Sequence, residues 1–175
     1  LRASPHGNLR ILMPMVSSLE QIAQIHETFD EVRRRLERLG YEVAASVPVG
    51  SMIEVPSLLL IIDDLVRAVD FVSVGTNDLV QYLLAGDRDN SWVAKLYDPQ
   101  HPAVIAALDV IARAARAAGR PASVCGDVAT DPAFALLLLG LGYDSISVAP
   151  HFIPAIKYAV RRTTLEQAQA FAREI

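Results

Sequence analysis

The feature that most constrains this chain is a rhythm: a short apolar run, a turn, then a helical pattern, repeated five times. Such alternation feeds successive strands into one parallel sheet with helices as crossovers, and it argues against a helix bundle or a sandwich. Residues 10–16 read as the first strand, with Ser17 and Glu20 as a capping box for the helix that Gly40 ends. Leu19, Ile22, Ile25, Phe29, Val32, Leu36 and Leu39 recur every three or four residues, which predicts one buried stripe with the charges of 33–38 facing water. Residues 47–54 give the second strand, stopped by Pro56 and followed by a helix over 58–68. The third strand, 70–74, runs into Gly75-Thr76-Asn77-Asp78, a short helix reaching Ala85 and a surface loop over 86–90. A long helix over 102–118 buries Val104, Ile105, Leu108, Ile111 and Ala115 and stops at Gly119. Residues 121–125 make the fourth strand, Asp131-Pro132 caps a helix over 133–139, 145–148 make the fifth strand, and two short helices finish the chain. Without a fixed-period repeat, low-complexity tract or linker, one domain is expected.

Five units are too few to close an eight-stranded barrel, which typically takes about 250 residues. The expected architecture is therefore α/β, a partial (β/α)8 TIM barrel, with two unpaired parallel edges. A 52% hydrophobic chain of 175 residues can bury a sizeable core. Its net charge of −4 and scattered basic residues give no footprint for nucleic acid or anionic lipid. The longest apolar run, 133–139, is far short of the roughly 18 residues of a membrane span. A single cysteine cannot form an internal disulfide, so a soluble, cytoplasmic protein is expected. Leu1 stands where a complete chain has Met, and a fragment is expected.

Ligands of parallel βα folds bind at the carboxyl ends of the strands. Glu54 closes the second strand and Asp78 follows the third. Each alone reads as a cap for the next helix, but two carboxylates on neighbouring strands suit Mg²⁺, which takes one or two carboxylates plus water and substrate oxygens. Gly75, Thr76 and Asn77 form a small polar turn at a helix entry, where backbone N–H groups can receive an anion. Arg88 is either a clamp for an anionic ligand or a solvated loop residue. Cys125 ends the fourth strand; it is either an inert small hydrophobe or, kept protonated by nearby carboxylates, a proton donor. His6, His26, His101 and His151 have no partner pattern and read as surface or packing residues.

Taken together, Leu1-Arg2-Ala3-Ser4, Met13-Pro14-Met15-Val16, Ile53-Glu54-Val55-Pro56-Ser57, the contiguous stretch 69–88 and Cys125-Gly126-Asp127 resemble the C-terminal, phosphoenolpyruvate-binding domain of Enzyme I, the phosphoenolpyruvate–protein phosphotransferases. The run 82–90 and Leu96-Tyr97-Asp98 look most like the nitrogen-branch paralogue. The resemblance implies that Glu54 and Asp78 hold Mg²⁺, that Asn77, Asp78 and Arg88 bind phosphoenolpyruvate with the backbone of Gly75 and Thr76, and that Cys125 is the acid. It further implies phosphoryl transfer to a protein histidine with release of pyruvate, a histidine-phosphocarrier partner reached through a phosphohistidine domain, and a homodimer. The family's phosphate-binding arginines and its phosphorylated histidine lie in segments absent here, so the chain is not expected to turn over alone. Asp127 departs from the pattern, where Glu commonly follows Cys-Gly, and a role for that carboxylate in orienting the thiol does not carry over directly.

Pyruvate phosphate dikinase and phosphoenolpyruvate synthase resemble the chain at the same strand ends and remain alternatives. A lyase of the citrate-lyase type also places Glu and Asp around Mg²⁺ but is not expected to match Asn77 and Cys125. A non-catalytic dimerisation or regulatory module is the third alternative.

Overall fold

The structure is a computed structural model describing residues 1–87 and 90–175. Five strands, β1 (Ile11–Met13), β2 (Val49–Ile53), β3 (Phe71–Gly75), β4 (Ala122–Cys125) and β5 (Ser145–Ser147), form one parallel sheet in chain order. Helices α1 (Leu19–Arg38), α2 (Ile62–Ala68), α3 (Thr76–Leu84), α4 (Pro102–Ala117) and α5 (Pro132–Leu141) follow the strands in turn or precede the next, and α6 (Ile153–Arg161) and α7 (Leu165–Glu174) close the described chain. Every strand pairs with its sequence neighbour, as in one arc of a βα barrel.

The core lies between the helical layer and one face of the sheet. Ile53, Leu58, Leu65, Val72, Val74, Leu79, Leu108, Ile111, Val124 and Leu138 are almost wholly out of contact with solvent there. Val72 and Val74 alternate with Phe71, Ser73 and Gly75, so the two valines of β3 face the helices, while the aromatic ring at its start and the small residues after it face the side where a barrel interior would be. Tyr143 is buried and its hydroxyl donates to the Leu108 carbonyl at 2.8 Å, which satisfies the only polar atom of that side chain.

Several boundaries differ from the sequence reading. The first strand was expected over 10–16 but ends at Met13, because Pro14 has no N–H for the ladder and Met15 takes φ +54°. Asp70 lies before β3, its carboxylate accepting from the Val49 N–H at 2.9 Å, while Gly75 joins the strand. Helix α1 starts one residue later than expected, with Ser18 as N-cap; Gln21, not Glu20, reaches back, its Oε1 accepting from the N–H groups of Ser17 and Ser18. The helix expected over 58–68 is a 3-10 turn (Pro56–Ile61) followed by α2, the two separated by Ile61 at φ −127°.

The stripe on α1 is covered unevenly: Leu19, Ile25, Phe29 and Leu36 are half-buried. Ile22 is buried, but Val32 is 40% and Leu39 is 63% exposed. Among the described residues β1 is an edge strand, paired only with β2. Nor does Arg33 simply face water: its guanidinium donates to the carbonyls of Ala44 and Ala45, tying α1 to the loop before β2.

Candidate active site

The register of the sheet assembles the site. Ile53 pairs with Val74 and Gly75 pairs with Cys125, so Glu54, Gly75 and Cys125 come level at the carboxyl ends of β2, β3 and β4. Glu54 is only 3% exposed. It does not cap the next helical turn: its Oε1 accepts from the backbone N–H of Met15 at 2.6 Å, a bond made available because Met15 has left the ladder. Burial pushes the Glu54 carboxyl above its ordinary range, the Met15 N–H opposes that, and the nearby Asp78 carboxyl raises it further.

Gly75 explains how they fit. A Cβ there would stand 2.6 Å from Glu54 Oε2 and 3.0 Å from Met52 Sδ, so the absence of a side chain admits the buried carboxylate. Asp78 sits in the first turn of α3, whose N-cap is Gly75, so neither carboxylate serves as that helix's cap.

Cys125 is a free, half-buried thiol. Its Sγ lies 3.4 Å from the Val74 carbonyl, to which it donates. Burial pushes its pKa up, a hydrogen bond from Ser73 opposes this, and the charges of Glu54 and Asp78 raise it further. The thiol form therefore dominates at neutral pH, as an acid requires and a nucleophile does not.

Two links lock the turn before α3 to the loop after β4. Thr76 Oγ1 donates to the Cys125 carbonyl at 2.8 Å. The Asp127 N–H donates to Asn77 Oδ1 at 3.0 Å, and Asn77 Nδ2 donates to Asp127 Oδ2 at 3.3 Å. Gly126 between them has φ +120°, and a Cβ there would collide with Thr76 Oγ1.

The sequence-predicted residues Glu54, Gly75, Thr76, Asn77, Asp78 and Cys125 thus converge; Arg88 lies outside the described residues. The sequence does not single out Met15 or Ser73, and it offers Asp127 only in connection with the thiol, not with Asn77. Met15 acts through a backbone N–H that its side chain does not advertise, and Ser73 is readable only as an inward-facing strand serine two register rows below Cys125. No group of three or more His, Cys, Asp or Glu is placed to hold a metal ion among the described residues. The donor set is instead two neighbouring carboxylates, which fits a hard cation that keeps water and ligand oxygens in its remaining positions.

Fold and site together define a parallel βα domain with an acidic, thiol-bearing centre at the carboxyl ends of its strands. A family model described as the PEP-binding domain of PEP-utilising enzymes matches residues 1–165, and the chain belongs to that family. It is 42% identical to a Salmonella typhimurium protein named phosphoenolpyruvate-dependent phosphotransferase system, over 95% of this chain and 22% of that protein. To the phosphoenolpyruvate-protein phosphotransferase of Bacillus subtilis it is 35% identical, over 100% of this chain and 31% of that protein. The chain therefore spans less than a third of the length of these relatives. Among solved structures, a citrate lyase of Burkholderia xenovorans superposes with TM-score 0.66 over 90% of this chain and 50% of that one at 24% identity. A pyruvate kinase of Cryptosporidium parvum gives TM-score 0.64 over 97% and 33% at 12% identity. These two show a shared βα-barrel type of fold.

Proposed function

We propose that this chain forms the phosphoenolpyruvate-binding part of an enzyme that moves the phosphoryl group of phosphoenolpyruvate to a protein histidine and releases pyruvate. The observation that carries the reading is the level placement of Glu54, Gly75 and Cys125 on three adjacent strands, with Asn77 and Asp78 entering from the turn of α3. Its family and its phosphotransferase relatives support the same assignment.

Glu54 and Asp78 would hold Mg²⁺, which when bound offsets negative charge on the phosphoryl and enolate oxygens. Asn77 and the first N–H groups of α3 would hold an anionic oxygen of the substrate. Gly75 leaves the space that the buried carboxylate of Glu54 occupies. As the P–O bond breaks and the phosphoryl group passes to the histidine, the enolate left behind needs a proton at its methylene carbon. Cys125 supplies it from Sγ, and the thiolate so formed regains a proton from solvent. The burial that pushes its pKa up, with the charges of Glu54 and Asp78 adding to it, makes that return favourable. Arg88 would clamp the substrate's anionic groups, and the accepting histidine would come from parts of the relatives beyond the stretch matched here.

The reading extends to a cytoplasmic homodimer that passes its phosphoryl group to a histidine-phosphocarrier protein. Residues 82–90 and 96–98 favour the nitrogen branch, on resemblance to that paralogue. Among the described residues, no helix is long and apolar enough to cross a membrane.

Calorimetric titration of phosphoenolpyruvate, with and without Mg²⁺, into this chain and into the full-length protein tests the proposal. Mg²⁺-dependent binding by the full-length protein, lost in Glu54→Gln and in Asp78→Asn, is expected. Unchanged affinity in both variants would sink the site assignment.

A further inference from the structure

The bracket around Asn77 has a chemical consequence. A primary amide carries one acceptor oxygen and two N–H donors, and its two ends can be interchanged unless a neighbour fixes them. Here the neighbour is unambiguous. The backbone N–H of Asp127 can only donate, so Oδ1 of Asn77 must face it, at 3.0 Å. The Asp127 carboxylate, when ionised, can only accept, so Nδ2 must face it, at 3.3 Å. One residue thus reads both ends of the amide, its backbone N–H at one and its carboxylate at the other. The link from Thr76 Oγ1 to the Cys125 carbonyl at 2.8 Å and the tight passage at Gly126 hold the two loops in the register this bracket needs.

We infer that Asp127 is a positioning residue that fixes the amide of Asn77 so that it presents an N–H, and not its oxygen, to the ligand. The ligand atom at this position is then a hydrogen-bond acceptor, a carboxylate or phosphoryl oxygen, and a hydroxyl donor is disfavoured there. The inference rests on the phosphoenolpyruvate reading of the site. It gives Asp127 a task that does not involve the thiol, and that task needs only a carboxylate close to its own backbone.

The test uses the full-length protein and four variants: Asn77→Ala, Asp127→Ala, the double variant, and Asp127→Glu. Affinity for phosphoenolpyruvate and kcat are measured for each. Asn77→Ala is expected to weaken affinity roughly ten-fold, the scale of one hydrogen bond to a charged group. Asp127→Ala should weaken it several-fold, the double variant should be no worse than Asn77→Ala alone, and Asp127→Glu should recover most of the affinity. A second readout needs no turnover: the side-chain amide protons of Asn77, followed by NMR in this chain, should lose exchange protection in Asp127→Ala. Additive losses in the double variant, or unchanged Asn77 amide signals in Asp127→Ala, would overturn the inference. If Asn77→Ala leaves affinity unchanged, the phosphoenolpyruvate reading itself fails, and the inference with it.

Discussion

The sharpest claim of this structure is that Gly75 is glycine because Glu54 is buried against it, and Gly75→Ala tests this directly. The backbone there has φ −87°, a conformation open to alanine, so no left-handed strain enters. By restricting the unfolded chain, alanine would by itself stabilise the protein by about 0.4–1 kcal/mol. Against that, the new Cβ would stand 2.6 Å from Glu54 Oε2. If Glu54 holds its place, the cost is that of overpacking, about 1–3 kcal/mol. If it retreats, it loses the bond from the Met15 N–H at 2.6 Å, again about 1.5–3 kcal/mol for a bond to a charged group. Either route leaves a net loss of about 1–2 kcal/mol, a fall in Tm of roughly 2–8 °C at this chain length. Thermal unfolding of the chain reads this, and Mg²⁺-dependent binding of phosphoenolpyruvate to the full-length protein should weaken with it. The control is the same substitution in a Glu54→Ala background, where most of the cost should vanish because Oε2 is gone. An equal loss of Tm in both backgrounds would refute the steric account.

Glu54 also makes stability depend on pH. Its folded pKa is raised, so the native state holds a proton that the unfolded chain releases at the ordinary value of 4.5; stability should fall as pH rises from there through the raised value, and Glu54→Gln should flatten this segment of a urea-midpoint profile. The raised pKa of Cys125 keeps thiolate scarce, so alkylation by iodoacetamide at pH 8 should run slower than for an unstructured cysteine and accelerate only above the ordinary value of 9.0. In the full-length protein, Cys125→Ala should block pyruvate formation far more than it weakens phosphoenolpyruvate binding, as paired turnover and titration assays would show. Asp131→Ala removes the cap that accepts from the N–H groups of Ala133 and Phe134 and should cost about 1 kcal/mol in unfolding without touching ligand affinity.

Much of this arrangement could be read from the sequence, because its parts are local. The run from Phe71 to Leu84 carries strand, glycine turn and helix entry in one contiguous segment, so Gly75, Thr76, Asn77 and Asp78 could be placed together before any contact was known. Strand periodicity likewise put Glu54 and Cys125 at strand ends. What escaped was non-local. Met15 enters the site 39 residues from Glu54, through a backbone N–H released by Pro14 and a positive φ. Asp127 meets Asn77 across 50 residues, and its role depends on its own main chain as much as on its carboxylate. The stripe on α1 was read as buried throughout, because periodicity reports which face is apolar and not whether anything lies beneath it. Val32 and Leu39 stay exposed, and β1 is an edge strand among the described residues.

That edge and the site are connected by the same geometry. Glu54, Gly75 and Cys125 are brought level only by the parallel register of β2, β3 and β4; a slip of one residue between β3 and β4 would turn the thiol toward the helices and carry Val124 into the site. Register in a parallel sheet is held by the buried alternate residues, here Val72, Val74 and Val124, and by crossovers that cannot shorten. Both weaken toward an uncovered edge. At β1 a groove of about 410 Å³ runs along Met13, Met15, Ile25 and Phe29, and Met15 is the residue whose N–H fixes Glu54. Whatever fills that groove therefore presses on the backbone that orients a candidate metal ligand. Strands that complete the barrel would not merely cover apolar surface: they would stiffen Met15, and through it the carboxylate. The affinity of this site for Mg²⁺ and phosphoenolpyruvate should accordingly be higher in the full-length protein than in this chain even for contacts that the chain supplies by itself. Equal affinity in the two would mean that β1 already holds Met15 without help.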